Sequence, residues 1–316
     1  MNARVLVTGA TGLVGRAVAE QLVLDERTVR VAVRKPGTKL DQAEVVAVGD
    51  IGEKTDWTDA LEGVDCVIHC AARAHVLRDA SSDPLLAYRE VNVQGTRRLA
   101  EQASECDVRR LVFVSSVKVN GERTEPGMPL TFAAPAGPED AYGQSKWEAE
   151  QSLHELGARA ALEVVIVRPP LVYGPQAKGN FARLIELVRK GIPLPLGAVN
   201  NRRSLVALDN LVDLLVRCID HPAAPGQTFL VSDGEDLSTQ ELVRRQAKAM
   251  GRPVRLVPVP VGLLRAAGRL TGKSKEVERL VSSLQVDIRH TQETLGWTPP
   301  VSVDEGLRRA VNRVTG

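Results

Sequence analysis

The chain has 316 residues, and its 41 Lys and Arg residues against 39 Asp and Glu residues give a net charge of +2. This balance offers no bulk electrostatic reason to expect nucleic acid or an anionic membrane as a partner, and an aromatic fraction of 3% disfavours stacking platforms for single strands. Any anion binding should therefore be local, and the length suits one large α/β unit with a smaller lobe.

The N-terminal residues run directly into a first apolar run, "VLV" at 5–7, which leaves no room for a charged leader, an apolar segment and a cleavage site. No later run approaches the roughly 18 uncharged apolar residues that a membrane-spanning helix needs. The sequence therefore predicts a soluble, cytosolic protein without membrane insertion.

Short β-branched runs alternate with stretches of helical periodicity. The runs are "RVLVTG" (4–9), "VRVAVR" (29–34), "EVVAVG" (44–49), "DCVIHCA" (65–71), "RLVFVSS" (110–116) and "EVVIVRP" (163–169). The pattern predicts repeated βαβ units, and because the runs are apolar on both faces the sheet should be parallel with helices on each side. We expect residues 1–168 to form a doubly wound, Rossmann-type dinucleotide-binding domain.

Two of the four cysteines, Cys66 and Cys70, lie in the fourth of these runs, and the other two are Cys106 and Cys218. No C-x-x-C pair is present. We expect reduced, packed thiols rather than a disulfide or a metal site.

After Pro169 the chain becomes richer in Gly and Pro, which predicts a smaller, mostly helical C-terminal lobe over 169–316. The pattern predicts a helix over 211–219, a strand over 228–232, and a helix capped by Ser238 with Glu241 three residues later. We expect the segment around 204–232 to rejoin the first sheet.

The stretch "VTGATGLVG" places Gly9, Gly12 and Gly15 between the first strand and the first helix. Glycines there allow a tight turn and a close approach to a pyrophosphate, whose charge the helix N-terminus stabilises. The spacing is G-x-x-G-x-x-G rather than G-x-G-x-x-G, and a purely structural turn is the alternative. Its position after the first strand favours dinucleotide binding.

The second strand ends in Val33, Arg34 and Lys35, without the carboxylate that usually binds the adenosine ribose. We therefore expect NADP(H) in preference to NAD(H), which remains possible, with Arg34 contacting the 2′-phosphate. A solvated basic turn is the alternative. After the third strand, Asp50 and Ile51 are placed to bind and pack against adenine, or Asp50 is an ordinary turn residue.

Tyr142 and Lys146 in "AYGQSK" are four residues apart, so they share one face of a helix. A nearby ammonium lowers the pKa of a phenol toward working pH and makes it a usable general acid and base. Ser115 and Ser116 end the fifth strand run, and no histidine base is suggested near them in the sequence. We therefore expect proton transfer by the Tyr–Lys pair rather than a serine nucleophile.

In this order the motifs closely resemble the extended short-chain dehydrogenase/reductase family, in its nucleotide-sugar epimerase, dehydratase and reductase branch. The resemblance covers nearly the whole chain and rests on Gly9, Gly12, Gly15, Asp50, Ile51, Ala71, Ala72, Asn92 in "VNVQGT", Ser116, Tyr142, Lys146, "RPPLVYGP" and "RRSLVALD". It implies a UDP-sugar substrate, no nucleic-acid partner, and a homodimer formed through the helix containing Tyr142 and the 91–105 segment.

The resemblance also implies roles for individual residues. Ser116 holds the sugar oxygen, Tyr142 moves its proton, and Lys146 tunes Tyr142 and binds the nicotinamide ribose. Asn92 supports the catalytic helix through backbone or water, or merely caps or kinks its own helix. The expected cofactor-binding residues are Gly9, Thr11, Gly12, Leu13, Val14, Arg34, Asp50, Ile51, Ala71, Ala72, Asn92, Ser115, Tyr142, Lys146 and Pro169.

On the substrate side, the resemblance points to an arginine of the Arg202–Arg203 pair for the substrate's phosphates or sugar. Arg202 matches by its spacing to Asp209, Arg203 is the alternative, and the other member of the pair is a surface residue. His75 lines the sugar pocket or is a surface residue. The full expected set is His75, Ser116, Lys118, Asn180, Arg202, Arg203 and Arg279.

The dehydratases of this branch carry Asp-Glu directly after the catalytic Ser or Thr, where this chain has Val117 and Lys118, so dehydration is disfavoured. Arg34 replaces the acid typical of NAD-retaining epimerases. A 2′-phosphate site suits a reductase that uses NADPH. The stretches "VSSVKVNGE", "NRRSLVALDNLVDL" and "FLVSDGEDLST" also resemble bacterial enzymes that reduce the C4 keto group of a UDP-4-keto-6-deoxy-N-acetylhexosamine for surface polysaccharide, and this resemblance implies that NADPH-dependent reaction here. The alternatives are a UDP-glucose or UDP-N-acetylglucosamine 4-epimerase with bound NAD, and a non-catalytic dinucleotide-binding sensor or scaffold.

Overall fold

The structure is a computed structural model of the chain and describes residues 3–38, 40, 42–74, 83–177 and 179–312. A seven-stranded parallel sheet has the order β3-β2-β1-β4-β5-β6-β9. Its strands are β1 (Arg4–Thr8), β2 (Thr28–Val33), β3 (Glu44–Ala47), β4 (Cys66–His69), β5 (Arg110–Val114), β6 (Glu163–Arg168) and β9 (Thr228–Leu230). A second sheet pairs β7 (Leu171–Tyr173) with β8 (Leu205–Ala207), also in parallel.

Helices surround both sheets. They are α1 (Leu13–Leu24), α2 (Thr58–Leu61), α3 (Pro84–Arg89), α4 (Gly95–Glu105), α5 (Ala141–Gly157), α6 (Asn180–Arg189), α7 (Leu208–Asp220), α8 (Thr239–Ala249), α9 (Val261–Leu270), α10 (Ser274–Val281), α11 (Arg289–Leu295) and α12 (Val303–Asn312). A π-helical turn (Glu90–Gln94) joins α3 to α4, and a 3₁₀ turn (Val117–Val119) follows β5. No helix in the described part of the chain is long and apolar enough to cross a membrane.

Except for the edge strand β3, which is partly exposed, the strands of the main sheet are buried on both faces, which confirms the doubly wound parallel sheet. Val5 and Val7 of β1 pack into one core with α1 and α7, whereas Leu6 packs into another core on the opposite face with α2, α4 and α5. Side chains alternate across a strand, so a run that is apolar at every position must be covered by helices on both sides.

The chain returns to this sheet after leaving it. Helix α7 packs on α1, and β9 then lies beside β6 with Val167 opposite Phe229. A third core joins α6, α8 and α12 and includes Phe181, Val243 and Leu307. Helix α8 begins with the predicted capping box, in which Ser238 and Glu241 each bind the other's backbone N–H.

A buried polar network joins the two sheets to the C-terminal segment. Asn210 of α7 is fully buried, and its side-chain amide donates to Asp233 Oδ1 at 2.7 Å and to the carbonyl of Val301 at 2.8 Å. Its carbonyl accepts from the Val301 N–H at 2.8 Å. The hydroxyl of Tyr173 in β7 donates to the other oxygen of Asp233 at 2.7 Å. Burial raises the pKa of Asp233, and the hydrogen bonds that its carboxylate accepts from the Ala207 N–H, Tyr173 and Asn210 oppose this effect.

Replacing Asn210 with alanine should leave buried donors and acceptors without partners, and we expect a loss of about 3 kcal/mol in the free energy of unfolding. Urea denaturation followed by circular dichroism measures this change. The control is Asn200→Ala at an exposed position, which should stay within about 0.5 kcal/mol of the parent chain. If the two variants were equally stable, the network would not contribute to the free energy of unfolding as predicted.

Candidate active site

The strand order reverses between β1 and β4, so a crevice opens beyond the carboxyl ends of these two strands. Gly9 follows β1 with φ of +69°, and a Cβ there would lie 2.7 Å from the backbone nitrogen of Ala71, just beyond β4. The turn and the end of β4 therefore touch backbone to backbone. Only glycine fits both the left-handed conformation and this close approach.

The glycine turn leads directly into α1. A Cβ on Gly15 would lie 2.4 Å from the carbonyl oxygen of Gly9, so the helix packs tightly on the turn. Gly12 is the N-cap, and no side chain caps the helix. The backbone N–H groups that begin α1 at Leu13 and Val14 are therefore suited to binding an anionic pyrophosphate, as the sequence predicted.

Arg34 and Asp50, from the ends of β2 and β3, form an exposed ion pair with Nε and Oδ1 3.0 Å apart. From the sequence we expected separate roles for them, a 2′-phosphate contact for Arg34 and an adenine contact for Asp50. The structure pairs them, so the Arg34 guanidinium is already partly neutralised by a carboxylate. Ile51 packs against the core beneath α4.

Tyr142 and Lys146 lie on α5, whose N-cap is Asp140. Asn92, in the π-helical turn, is buried and donates to Ser145 Oγ of α5 at 2.9 Å. The Ser145 hydroxyl in turn donates to the carbonyl of Tyr142 at 2.8 Å. Asn92 therefore braces the catalytic helix directly, while its side chain also binds both backbone groups of Arg73.

Lys146 is 2% exposed, and its ammonium lies 4.1 Å from the centre of the Phe113 ring. Burial lowers its pKa to about 7, against an opposing effect of the Glu150 carboxylate. His69 stacks on the same ring, and its two nitrogens are hydrogen-bonded to Thr8 and Thr96. Burial also lowers the pKa of His69 to about 3, so it is a neutral core residue.

Tyr142 does not have the lowered pKa that the sequence predicted from Lys146. Its pKa is raised, because burial disfavours the phenolate and the nearby Asp140 carboxylate and Tyr88 add to this effect. The charge of Lys146 acts instead on the His69 and Cys70 side chains. The prediction was wrong because a spacing of four residues places two side chains on one face of a helix but does not make one side chain point at the other.

The two serines after β5 have different partners. Ser116 is partly exposed, and its Oγ accepts from the N–H of Lys118 at 3.2 Å, so the hydroxyl proton is available to a ligand. Ser115 was expected on the cofactor side, but it is buried and its hydroxyl donates to Glu150 Oε1 at 2.5 Å. Its hydroxyl therefore makes a contact inside the protein.

Glu150 and Arg168 form a buried ion pair that sequence reasoning missed. The guanidinium binds both carboxylate oxygens, with Nε 2.9 Å from Oε1, and its third nitrogen donates to Asn120. Glu150 is one turn beyond Lys146 on α5, and that spacing in the sequence was the available signal. The carboxyl end of β6 is further tied to β5, because the Pro169 carbonyl accepts from the Val117 N–H at 3.0 Å.

Lys118 was expected to contact substrate, and in the structure its ammonium is held by two carboxylates. It donates to Glu122 at 2.5 Å and to Asp140, the N-cap of α5. Burial disfavours the Asp140 carboxylate, yet the bonds from Lys118 and from the Gly143 N–H hold its pKa below the usual range. A Cβ on Gly143 would lie 2.7 Å from the Lys118 carbonyl, so the 3₁₀ turn and α5 are in close contact.

The structure separates the two candidate arginines. Arg203 donates to the carbonyl of Ser282 at 3.0 Å, and burial lowers its pKa while Glu122 opposes this and Arg279 adds to it. Arg279 also lies 3.9 Å from Glu122. Arg202 is exposed. Arg203 and Arg279 therefore lie near Glu122 of the Lys118 cluster, whereas Arg202, which the sequence favoured, has an exposed side chain.

Some predicted residues are not placed in this way. His75 and the side chain of Asn180 lie outside the described residues. Ala71 and Ala72 follow β4 as expected, beside the glycine turn.

All four cysteines are free, and burial raises the pKa of Cys66, Cys70 and Cys218 to about 12.

A model of the NAD dependent epimerase/dehydratase family matches residues 5–232, which include the glycine turn, Ser116, Tyr142 and Lys146. The chain belongs to this family. The match confirms the resemblance to extended short-chain dehydrogenases/reductases and identifies the chain as an enzyme of that class.

Known members of this family resemble the whole chain. A UDP-glucose 4-epimerase of Vibrio cholerae is 50% identical and covers 98% of this chain and 94% of its own. MoeE5, solved in complex with UDP-glucose and NAD, has a TM-score of 0.78 at 25% identity and covers 99% and 98% of the two chains. An NAD-bound family protein of Agrobacterium tumefaciens has a TM-score of 0.75 at 26% identity, covering 98% and 97%.

Because Lys146 is buried, the free energy of unfolding of the protein should depend on pH. Its pKa is about 7 in the folded chain against an ordinary value of 10.5, so between these values the unfolded chain holds a proton that the folded chain lacks. Stability linked to Lys146 therefore rises with pH across this window, by up to about 1.4 kcal/mol per pH unit.

Urea denaturation without dinucleotide, from pH 7 to pH 10, should show this rise in the parent chain relative to Lys146→Met. Lys54→Met is the control, because Lys54 is exposed and should leave the pH dependence unchanged. A parent chain whose slope equals that of Lys146→Met would show that Lys146 titrates normally.

Proposed function

We propose that the protein is a UDP-sugar 4-epimerase that retains NAD and interconverts the C4 epimers of a UDP-hexose such as UDP-glucose or UDP-N-acetylglucosamine. The observation that carries the proposal is the 50% identity, over nearly the whole of both chains, to the Vibrio cholerae UDP-glucose 4-epimerase. Ser116, Tyr142 and Lys146 are all present, which argues against the non-catalytic sensor. The reductase expected from the sequence has less support.

The residues of the crevice suit the dinucleotide. Gly9 has no side chain to block approach at the end of β1, and the N-terminus of α1 carries no side-chain cap. Bound NAD would supply the acceptor and donor of hydride at C4 of the sugar. NAD is favoured over NADP because Asp50 both neutralises Arg34 and would repel a 2′-phosphate beside it.

In this proposal Tyr142, as the phenolate, takes the proton of the C4 hydroxyl when C4 is oxidised and returns it to the C4 oxygen when the ketone is reduced. Inversion at C4 requires that hydride return from bound NAD to the opposite face of the C4 carbon. Ser116 donates its free hydroxyl proton to the C4 oxygen and stabilises the negative charge that develops there. Lys146 holds the nicotinamide ribose, and the Glu150 carboxylate opposes the loss of its charge that burial favours. We assign Arg203 and Arg279 to the substrate's pyrophosphate, because guanidinium groups bind phosphates in a bidentate manner.

We also propose which parts of the chain bind the dinucleotide and the nucleotide sugar, and how two copies pair. Residues 1–168 and 204–232 would hold the dinucleotide, the rest of 169–316 would hold the nucleotide sugar, and two copies would pair through α4 and α5. Reduction of a UDP-4-keto-6-deoxy-N-acetylhexosamine by NADPH is the second candidate, and it is favoured by the missing carboxylate at the end of β2.

Incubation of the purified protein with UDP-glucose and with UDP-N-acetylglucosamine, without added coenzyme, should interconvert C4 epimers with no net oxidation, and denaturation should release NAD. Product analysis by NMR and mass spectrometry of the released dinucleotide measure both. Tyr142→Phe should lower turnover by about 10²–10⁴-fold while retaining the dinucleotide. Consumption of NADPH with a UDP-4-keto sugar, and no interconversion, would establish the reductase instead.

The rate of interconversion should rise with pH as Tyr142 ionises. Asp140→Asn should move this rise to lower pH, because the carboxylate raises the pKa of Tyr142 and asparagine is an equally good N-cap. Lys118→Met should move it to higher pH, because it exposes Tyr142 to the unpaired charge of Asp140. The pH profile of kcat measures both shifts.

Glu139→Gln is the matched control for this pair. Glu139 neighbours Asp140 but is bound to Arg123, and it should leave the profile unchanged. Identical profiles for Asp140→Asn and Glu139→Gln would show that the charge of Asp140 does not reach Tyr142.

A further inference from the structure

Helix α9 carries an apolar stripe on its solvent side. Leu263, Ala266, Ala267 and Leu270 follow the spacing i, i+3, i+4, i+7 and cover an arc of about 100° on the helix. All four are exposed, Leu263 at 62% and Leu270 at 88%. An apolar stripe at this spacing normally faces a core, so its outward orientation calls for a partner.

The inner face of α9 already has its own packing. Val261 and Leu264 lie against the core of the second lobe, and Gly268 lets α10 approach so closely that a Cβ would be 2.8 Å from Val277 Cγ2. The outward stripe is therefore additional to the apolar surface that holds the helix in place. Folding of this lobe does not account for it.

The segment around α9 concentrates positive charge. Residues 242–275 contain nine Lys and Arg residues and no Asp or Glu, so they contribute +9 to a chain whose net charge is +2, and the remainder carries −7. Arg245 pairs with Glu235, and Arg265 pairs with Glu278. The other seven are exposed and have no ion-pair partner within the described part of the chain: Arg244, Lys248, Arg252, Arg255, Arg269, Lys273 and Lys275.

These charges adjoin the stripe. Arg269 is on α9 itself, on the flank of the apolar arc, and Lys273 and Lys275 follow directly after Leu270. A helix with leucines on one face, bordered by lysine and arginine, suits the interface of an anionic bilayer, where the leucines enter the headgroup boundary and the cations meet lipid phosphates.

We propose that the outward face of α9, defined by Leu263, Ala266, Ala267 and Leu270 with Arg269, Lys273 and Lys275, docks on an anionic phospholipid bilayer. A second copy of the chain fits this face poorly, because a two-fold contact would set two segments of +9 against each other. Nucleic acid would use the cations but leave the leucines without a partner. Docking of this kind is peripheral and needs no spanning segment.

The docking face is connected to the candidate site through one helical hairpin. Helix α10 packs on α9, and its Arg279 faces Glu122 at the Lys118 cluster. Docking would therefore hold the second lobe at the bilayer. The inference concerns where the enzyme works and is independent of the sugar it converts.

Sedimentation of the purified full chain with vesicles of phosphatidylglycerol and phosphatidylcholine, and with pure phosphatidylcholine, tests the proposal. The chain should bind the anionic vesicles, bind the neutral ones weakly, and dissociate as salt rises. Leu263→Gln with Leu270→Gln should weaken binding by about tenfold or more, as should the triple change Arg269→Gln, Lys273→Gln and Lys275→Gln.

The matched controls are Leu24→Gln, an exposed leucine at 75%, and Lys54→Gln, an exposed lysine, both in the first domain and both expected to bind like the parent chain. All variants should keep the dinucleotide and the turnover of the parent chain without vesicles, which verifies folding. The proposal is overturned if the parent chain ignores anionic vesicles or if the controls weaken binding equally.

Two further outcomes would overturn it in favour of another occupant. Loss of a dimer in the leucine variants, seen by light scattering without any vesicle binding, would make the face a self-contact. Binding to duplex DNA that only the charge variants impair, without vesicle binding, would make it a nucleic-acid surface.

Discussion

The buried carboxylate of Glu150 is the group on which the geometry of the site depends. It pairs with Arg168 at the end of β6, accepts a hydrogen bond from Ser115 after β5, and lies one turn beyond Lys146. Removing two charges from water is costly, and such a pair persists only when its hydrogen bonds are satisfied. Those bonds hold α5 against the ends of both strands, so Tyr142 and Lys146 are presented from a fixed helix.

The charged groups around Tyr142 affect the pKa of its phenol. Burial and the Asp140 carboxylate raise the pKa of the phenol. Lys118 forms an ion pair with Asp140, and the ammonium of Lys146 lies over the Phe113 ring. Within the chain, these effects therefore favour the protonated phenol.

Much of the fold was predictable because its signals are local. The seven strands of the main sheet, the glycine turn and the capped start of α8 follow from β-branched runs, φ-specific glycines and a Ser–Glu spacing. The small sheet of β7 and β8 was missed, because three-residue strands carry too little periodicity to recognise. The π-helical turn at Asn92 was missed because one extra residue in a turn leaves no pattern.

The site divides in the same way. Ser116, Tyr142 and Lys146 could be read from order and spacing, and the family match covers them. Partners that are distant in sequence could not: Asp50 pairs with Arg34, Glu150 accepts a hydrogen bond from Ser115, and burial with Asp140 raises the pKa of Tyr142. Sequence by itself determined which chemical groups the site contains. Only the tertiary structure decided which of them are charged, paired or free, because burial and long-range contacts set those states.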